Sequence, residues 1–264
     1  MTKEKISCLM VTMPTRLELF KRSVAAYCAQ TYEDKELVVV TDGPRDAMRP
    51  LAAHVESLRR SDIRFVHEER SRSLGALRNL SCEASSGAYV CQWDDDDIYH
   101  PRRLEEQYRA LRKQDAACLY LEETMQFIVT SRQLYWLNWH ATEVRAHPGT
   151  LLCARSAMIA YPEEGESAEF THDSVVCLEL QKRPGFATLA AQPFLYVYVT
   201  HDLNKYPREH HEMLASTLAI SQGLLLRRER ALRDGLEGID FGPGEVAVQG
   251  SNGQAFTLND SRSS

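Results

Sequence analysis

Short β-branched runs and amphipathic stretches alternate three times between Ile6 and Trp93, and this alternation limits the possible folds more than any other feature of the chain. Residues 6–12 (ISCLMVT) are an apolar run. Pro14 and Thr15 break it, and LELFKRSVAAYCAQ continues with helical spacing. ELVVVT (36–41) closes on Asp42, Gly43 and Pro44, after which a segment from about Asp46 to Arg60 brings Met48, Leu51, Val55 and Leu58 to one side. IRFVH (63–67) is a third strand, and Leu74 to Ser85 reads as a helix with Leu77, Leu80 and Ala84 inward. Gly87 stops that helix before AYVCQW (88–93). A strand that returns parallel to its predecessor needs a crossover packed on the sheet. The expected fold is therefore α/β, an open and mostly parallel sheet with helices on both faces.

Beyond Pro101 the pattern loosens. RRLEEQYRALRKQ (102–114) is a charged surface helix, and AACLYL (116–121), TMQFIVTS (124–131), GTLLCAR (149–155) and FLYVYVTH (194–201) are strand-like. The stretch 132–147 has no clean periodicity, a helix begins near His172, and a last long helix spans 207–236. With 264 residues and 44% hydrophobic content the chain can bury a full core. We expect one domain over 1–236, followed by a flexible or marginally structured tail, 237–264, rich in Gly and Ser.

Charge and cysteine usage exclude several classes. The net charge of −6 leaves no broad basic face for nucleic acid. Seven cysteines are scattered singly, with no CxxC pair and no secretory signal, so reduced, buried thiols in a cytoplasmic protein are expected. No apolar stretch is as long as a membrane span, which limits membrane contact to the peripheral kind. In the last helix Leu214, Leu218, Leu225 and Leu232 lie beside Arg227, Arg228, Arg230 and Arg233. We read this as packing on its own domain or on a second copy of the chain, with an anionic membrane surface as the alternative.

Four acids, Asp94 to Asp97, end the strand-like run AYVCQW and precede Ile98, Tyr99, His100 and Pro101. A carboxylate block normally seeks solvent, yet this one emerges where a buried strand reaches the rim of a sheet, a usual place for a ligand crevice. Carboxylates so close raise one another's pKa unless a cation offsets the repulsion. A hard divalent ion with oxygen ligands does this most directly, and Mn2+ or Mg2+ paired with a diphosphate suits a short acidic turn better than a closed cage. An EF-hand calcium loop is excluded, because it would need ligands spread over twelve positions around a central Gly. The competing structural reading is a solvated acidic turn.

So placed, TMPTR at the end of the first strand, VVVTDG at the end of the second, the segment GALRN and the run YVCQWDDDDIYHPRRL resemble the nucleotide-sugar half of a family 2 glycosyltransferase. FTHD before a helix and a strand ending in THDLN are similar to the acceptor half of that family. The resemblance covers about residues 5–210. It implies the GT-A fold, a Rossmann-like, open mixed sheet, mostly parallel, with residues 1–115 binding the nucleotide sugar and 116–210 the acceptor.

The resemblance also implies roles. Asp96 would hold the metal, and Asp94 would lie near the ribose or reach the metal through water. Asp95 falls at a permissive middle position, and Asp97 would cap the helix after Pro101 or orient the donor sugar. Asp42 would accept a hydrogen bond from uracil or thymine, beside backbone contacts from Pro14 and Thr15, while Arg78 would reach the base or a phosphate. Asp173 is the expected base for the acceptor hydroxyl, although the family's acidic pair reads here as His172 and Asp173. His201 would complete the metal shell or touch the diphosphate, with Lys205 and Arg208 nearby. Trp136, Trp139 and Tyr135 could stack on an acceptor sugar or equally fill the core, and the HHE run at 210–212 reads as a solvated face.

The implied activity is metal-dependent, inverting transfer of a sugar from a nucleoside diphosphate, UDP in particular, to a carbohydrate or glycoconjugate, as in bacterial surface polysaccharide synthesis. Two other classes compete: a non-catalytic nucleotide or sugar binding module, and a nucleotidyltransferase. The latter lacks here the Gly-rich, Lys-bearing phosphate loop that its chemistry needs.

Overall fold

A computed structural model describes residues 3–258. In chain order its strands are β1 (Ile6–Val11), β2 (Lys35–Asp42), β3 (Ile63–Glu68), β4 (Tyr89–Gln92), β5 (Ile98–Tyr99), β6 (Cys118–Leu121), β7 (Glu123–Ile128), β8 (Gln133–Asn138), β9 (Leu152–Ala154), β10 (Phe186–Leu189), β11 (Tyr196–Thr200), β12 (Val246–Gly250) and β13 (Gly253–Leu258). The helices are α1 (Leu17–Cys28), α2 (Arg45–Ser57), α3 (Leu74–Ala84), α4 (Arg103–Lys113), α5 (His172–Gln181), α6 (Arg208–Leu218) and α7 (Gln222–Gly235). They fall into two compact units. One runs up to Asp96 and adds Pro101–Tyr120 and Pro148–Thr188; the other takes Asp97–His100, Leu121–His147 and the residues from Leu189 onward.

The first unit is built on a seven-stranded sheet in the order β10-β6-β9-β4-β1-β2-β3. β1 is parallel to both β2 and β4, and β2 to β3, whereas β9 runs antiparallel to β4 and β6. The central strands are covered on both faces, so they read as continuous apolar runs: Ile6, Cys8 and Met10 of β1 and Leu37 to Val40 of β2 are fully buried. α2 turns Met48, Leu51 and Val55 into the core, at the spacing that its sequence requires. α3 starts at Ser73, whose hydroxyl accepts the Ala76 amide at 3.2 Å. At the second position of α3, Gly75 faces the loop after Tyr161 so closely that a Cβ there would meet the Pro162 carbonyl oxygen at 1.8 Å.

The second unit holds a six-stranded sheet, β13-β12-β8-β7-β11-β5, with β7 parallel to β11 and antiparallel to β8. Its core gathers Phe127, Trp136 and Val199 with Leu225, Leu232 and Val248. The mixed α/β class holds, with two open mixed sheets in place of one. Sequence periodicity did not show β8 or β10. The single helix expected over 207–236 is two, because the chain breaks at Ala219 to Ser221. There the Ile220 amide donates to the Trp136 carbonyl at 3.0 Å, and Ser221 caps α7. Residues 246–258, expected as tail, form the β12–β13 hairpin, and β12 pairs in parallel with β8; residues 259–264 lie outside the described residues. Among the described residues no helix is long and apolar enough to cross a membrane.

Asp97 belongs to the second unit and serves its sheet. Its carboxylate, 1% exposed, accepts the Val199 amide at 2.9 Å and the Tyr196 hydroxyl. It therefore does not cap α4, whose N-cap residue Arg102 has no side-chain cap bond. Asp97→Ala removes the buried acceptor of both bonds, and we expect a loss of about 2–4 kcal/mol in urea unfolding; a variant within about 0.5 kcal/mol of wild type would contradict this structural role.

Candidate active site

In the first unit the chain lays down β1, β2 and β3 in order toward one edge, then crosses back to place β4 on the other side of β1. Ligands of open α/β sheets bind at such a switch point, outside the carboxyl ends of the strands. β1 and β4 are parallel, so Thr12 and the acids after Trp93 emerge at the same rim, and the Thr12 hydroxyl donates to Asp95 Oδ2 at 2.6 Å.

The acids after β4 face two guanidinium groups. Asp94 is in an ion pair with Arg78 of α3 and accepts from Gln92 Nε2 at 3.1 Å. Asp95 and Asp96 share Arg16, whose Nη1 lies 2.9 Å from Asp95 Oδ1 and 2.9 Å from Asp96 Oδ2. The backbone of the turn is clamped as well: Ser23 Oγ donates to the Asp94 carbonyl at 2.8 Å, and Arg22 donates to that of Asp96. From α4 the fully buried Arg103 donates to the Gln92 carbonyl at 3.1 Å and lies over the Trp93 ring. The turn is thus held in place by three helices and is not a solvated loop.

These contacts separate the acids electrostatically. Burial would raise Asp94, but the charge and hydrogen bond of Arg78, with help from Gln92, hold it below the usual carboxylate range. Burial and the neighbouring Asp96 push Asp95 up to about 7, outweighing the pull of Arg16 and Thr12. Both arginines stay charged. Burial opposes this in each, and Asp94 outweighs it at Arg78, as Asp96 and Asp95 do at Arg16.

Arg78 links this turn to the expected base. It is buried, and its Nε donates to His172 Nε2 at 3.3 Å, so the imidazole accepts through that nitrogen. Asp173 follows in the first turn of α5, half-buried, with Oδ1 accepting the Ser174 amide at 2.8 Å; its charge also contributes to keeping Arg78 protonated. The loop leading to α5 is tied to α3 by Asn79, which exchanges two hydrogen bonds with the Tyr161 backbone, at 3.0 and 2.8 Å, and donates to Glu163 at 2.7 Å.

Other expected site residues are distributed as follows. Pro14 and Thr15 form a 3-10 turn with Arg16 directly after β1. Asp42 ends β2, and its Oδ2 accepts the Arg72 amide at 2.8 Å, so it is at least a turn residue. His201 lies in the second unit; its Nδ1 accepts the Leu203 amide at 3.0 Å, so any coordination by this ring is through Nε2. With Lys205 and Arg208 it lines a cavity of ≈ 350 Å³. For the tryptophans the structure gives the core-filling alternative: Trp136 sits in the core, and buried Trp139 donates from Nε1 to Thr124 at 3.0 Å. Of the HHE run, expected as a solvated face, Glu212 is exposed, His210 is half-buried and His211 is buried at 1% exposed.

Sequence reasoning missed Thr12, Arg16, Arg22 and Gln92. TMPTR contains two of them, but nothing local shows that Arg16 meets acids 79 and 80 positions away. Among the described residues no group of three or more His, Cys, Asp or Glu converges as a metal cage. The donors present at the turn are all oxygens, and one or two carboxylates with the remaining positions left to water and phosphate suit Mg2+ or Mn2+. Asp96, with Asp94, fits that role.

The chain is similar in sequence and in fold to known proteins. Residues 9–154 match the family model for glycosyl transferase family 2. An uncharacterized glycosyltransferase of Methanocaldococcus jannaschii is 29% identical over 109 residues, 41% of this chain and 38% of that protein. The putative glycosyltransferase EpsH of Bacillus subtilis is 35% identical over 82 residues, 30% of this chain and 23% of its own. WcaA of Escherichia coli, a putative colanic acid biosynthesis glycosyl transferase, is 29% identical over 96 residues, 36% of this chain and 34% of its own. The chain thus spans well under half the length of these relatives. Among solved structures, TarS of S. aureus in complex with UDP-GlcNAc matches with a TM-score of 0.61 at 16% identity, over 89% of this chain and 67% of that one. The mannosyltransferase PcManGT of Pyrobaculum calidifontis, in complex with GDP-Man and Mn2+, matches with a TM-score of 0.60 at 13% identity, over 90% and 68%. At such identities the likeness is one of fold.

Asp95 makes the turn sensitive to pH in the absence of metal. Its pKa is raised on folding from 3.8 to about 7, so the folded state binds the proton more tightly and gains stability that is complete below pH 4 and lost as pH rises to 7. In chelator, the stability of wild type minus that of Asp95→Asn should fall over this window, by on the order of 2–4 kcal/mol. Parallel pH profiles for the two proteins would contradict the assignment.

Proposed function

The chain belongs to glycosyl transferase family 2 and has the mixed α/β architecture of GT-A enzymes; from this premise we propose that it moves a sugar from a nucleoside diphosphate, UDP by preference, to an acceptor hydroxyl with inversion at the anomeric carbon. The observation that carries the reading is the double engagement of buried Arg78. One guanidinium holds Asp94 of the acidic turn and His172, the residue before Asp173. This supports a reading in which the donor-binding acids and the acceptor base lie on either side of one guanidinium.

In this reading Asp96 would hold Mn2+ or Mg2+, with Asp94 at the ribose or joined to the ion through water. Bound there, such an ion supplies charge stabilisation to the departing diphosphate. Asp42 accepts the N–H of uracil, and Pro14 and Thr15 line the base from the end of β1. The Asp173 carboxylate takes the proton from the acceptor hydroxyl as it attacks the face opposite the leaving group. The similarity to WcaA, a putative glycosyl transferase of colanic acid biosynthesis, supports a polysaccharide or glycoconjugate acceptor.

A thermal-shift panel of UDP, dTDP, GDP and CDP with and without Mn2+ tests this. UDP with Mn2+ at about 100 times its Kd should stabilise wild type by about 3 kcal/mol, and Asp96→Asn should lose the metal-dependent part. Asp173→Asn should keep donor binding and lose transfer or donor hydrolysis by about 10²–10⁴-fold. Metal-independent binding of all four nucleotides would contradict the donor site. Unchanged turnover in Asp173→Asn would contradict the base and return the protein to the class of binding modules.

A further inference from the structure

Arg16 belongs, with Thr12, Arg22 and Gln92, to the contacts of the acidic turn that sequence reasoning missed, and it is the one of these four whose side chain pairs with two of the acids. Its Nη1 sits between two carboxylates, 2.9 Å from Asp95 Oδ1 and 2.9 Å from Asp96 Oδ2. The side chain is only 16% exposed, and Asp95 is fixed from its other oxygen by Thr12 at 2.6 Å. Arg16 follows directly from Pro14 and Thr15 in the 3-10 turn after β1, so its Cα is set by the strand rather than by a long loop. Asp94 adds a weaker attraction to Arg16 while its own carboxylate is paired with Arg78.

We propose that Arg16 is a built-in counter-ion that makes divalent-cation binding at Asp96 conditional on a nucleoside diphosphate. A divalent ion bonded to Asp96 and the Arg16 guanidinium are like charges drawn to the same oxygens, so the ion alone must displace or approach a cation. A diphosphate reverses the balance. It brings several negative charges, ligates the ion, and offers the guanidinium the bidentate oxygen pair that arginine prefers, so that Arg16 passes from carboxylate to phosphate. Metal and nucleotide then bind cooperatively, with the coupling located in one side chain. This rests on the donor site proposed above.

Calorimetric titration of Mn2+ into the chelator-treated full chain, with and without UDP, tests it without reference to turnover. In wild type, UDP should tighten Mn2+ binding at least 10-fold. In Arg16→Gln and Arg16→Met, Mn2+ alone should bind at least 5-fold tighter than in wild type, and the gain from UDP should shrink by a similar factor. Arg16→Gln keeps a hydrogen-bond donor beside the acids, which makes one of the two variants usable if the other does not fold; Arg16→Lys retains the charge and should keep most of the coupling. Unchanged or weaker binding of Mn2+ alone in both neutral variants overturns the counter-ion role. If instead Asp96→Asn binds Mn2+ and UDP as wild type does, the donor site itself fails.

Discussion

Taking several carboxylates out of water at one sheet rim is costly unless positive charge comes with them, and the first unit is arranged around meeting that requirement. Arg78 reaches Asp94 from α3, Arg16 reaches Asp95 and Asp96 from the turn after β1, and Arg22 and Ser23 of α1 hold the turn's carbonyls. Each group comes from a different element, so the sheet order that puts β4 beside β1 is a precondition for the site. The compensation is incomplete. One guanidinium serves two acids and does not offset the burial and the Asp96 charge that push Asp95 up to about 7. A site left short of positive charge in this way is suited to recruit more of it.

Residues of one type, four in a row, take different tasks here because their surroundings differ. Asp94 is locked to a buried arginine, Asp95 is anchored by Thr12 and Arg16, Asp96 shares Arg16, and Asp97 turns into the second unit's sheet to satisfy the Val199 amide and the Tyr196 hydroxyl. The chain passes from one unit to the other inside this run, between Asp96 and Asp97.

Local pattern was enough to read β1 to β4 and α1 to α4, because a strand buried on both faces is a continuous apolar run and Gly or Pro marks where it stops. It was enough for the acidic turn as well, since charge in that place is unusual whatever surrounds it. What escaped depends on long-range pairing. β12 finds β8 through Ala247 and Gln133, and the alternation of Val246 and Val248 is too short to stand out in a Gly-rich stretch. Arg16 gave no local sign because its partners are distant in sequence. Trp136 and Trp139 offered the opposite difficulty: an aromatic side chain can stack on a sugar or fill a core, and only the neighbours, Arg228 over one ring and Thr124 at the indole of the other, decide it.

The central claim is that a divalent ion and a nucleoside diphosphate meet at Asp96. An anomalous difference map from crystals grown with MnCl2 and UDP tests it most directly. The account predicts a manganese peak bonded to the Asp96 carboxylate and to diphosphate oxygens, with the Arg16 guanidinium turned toward phosphate. Arg16 still bridging Asp95 and Asp96, with manganese and nucleotide bound elsewhere, would contradict it.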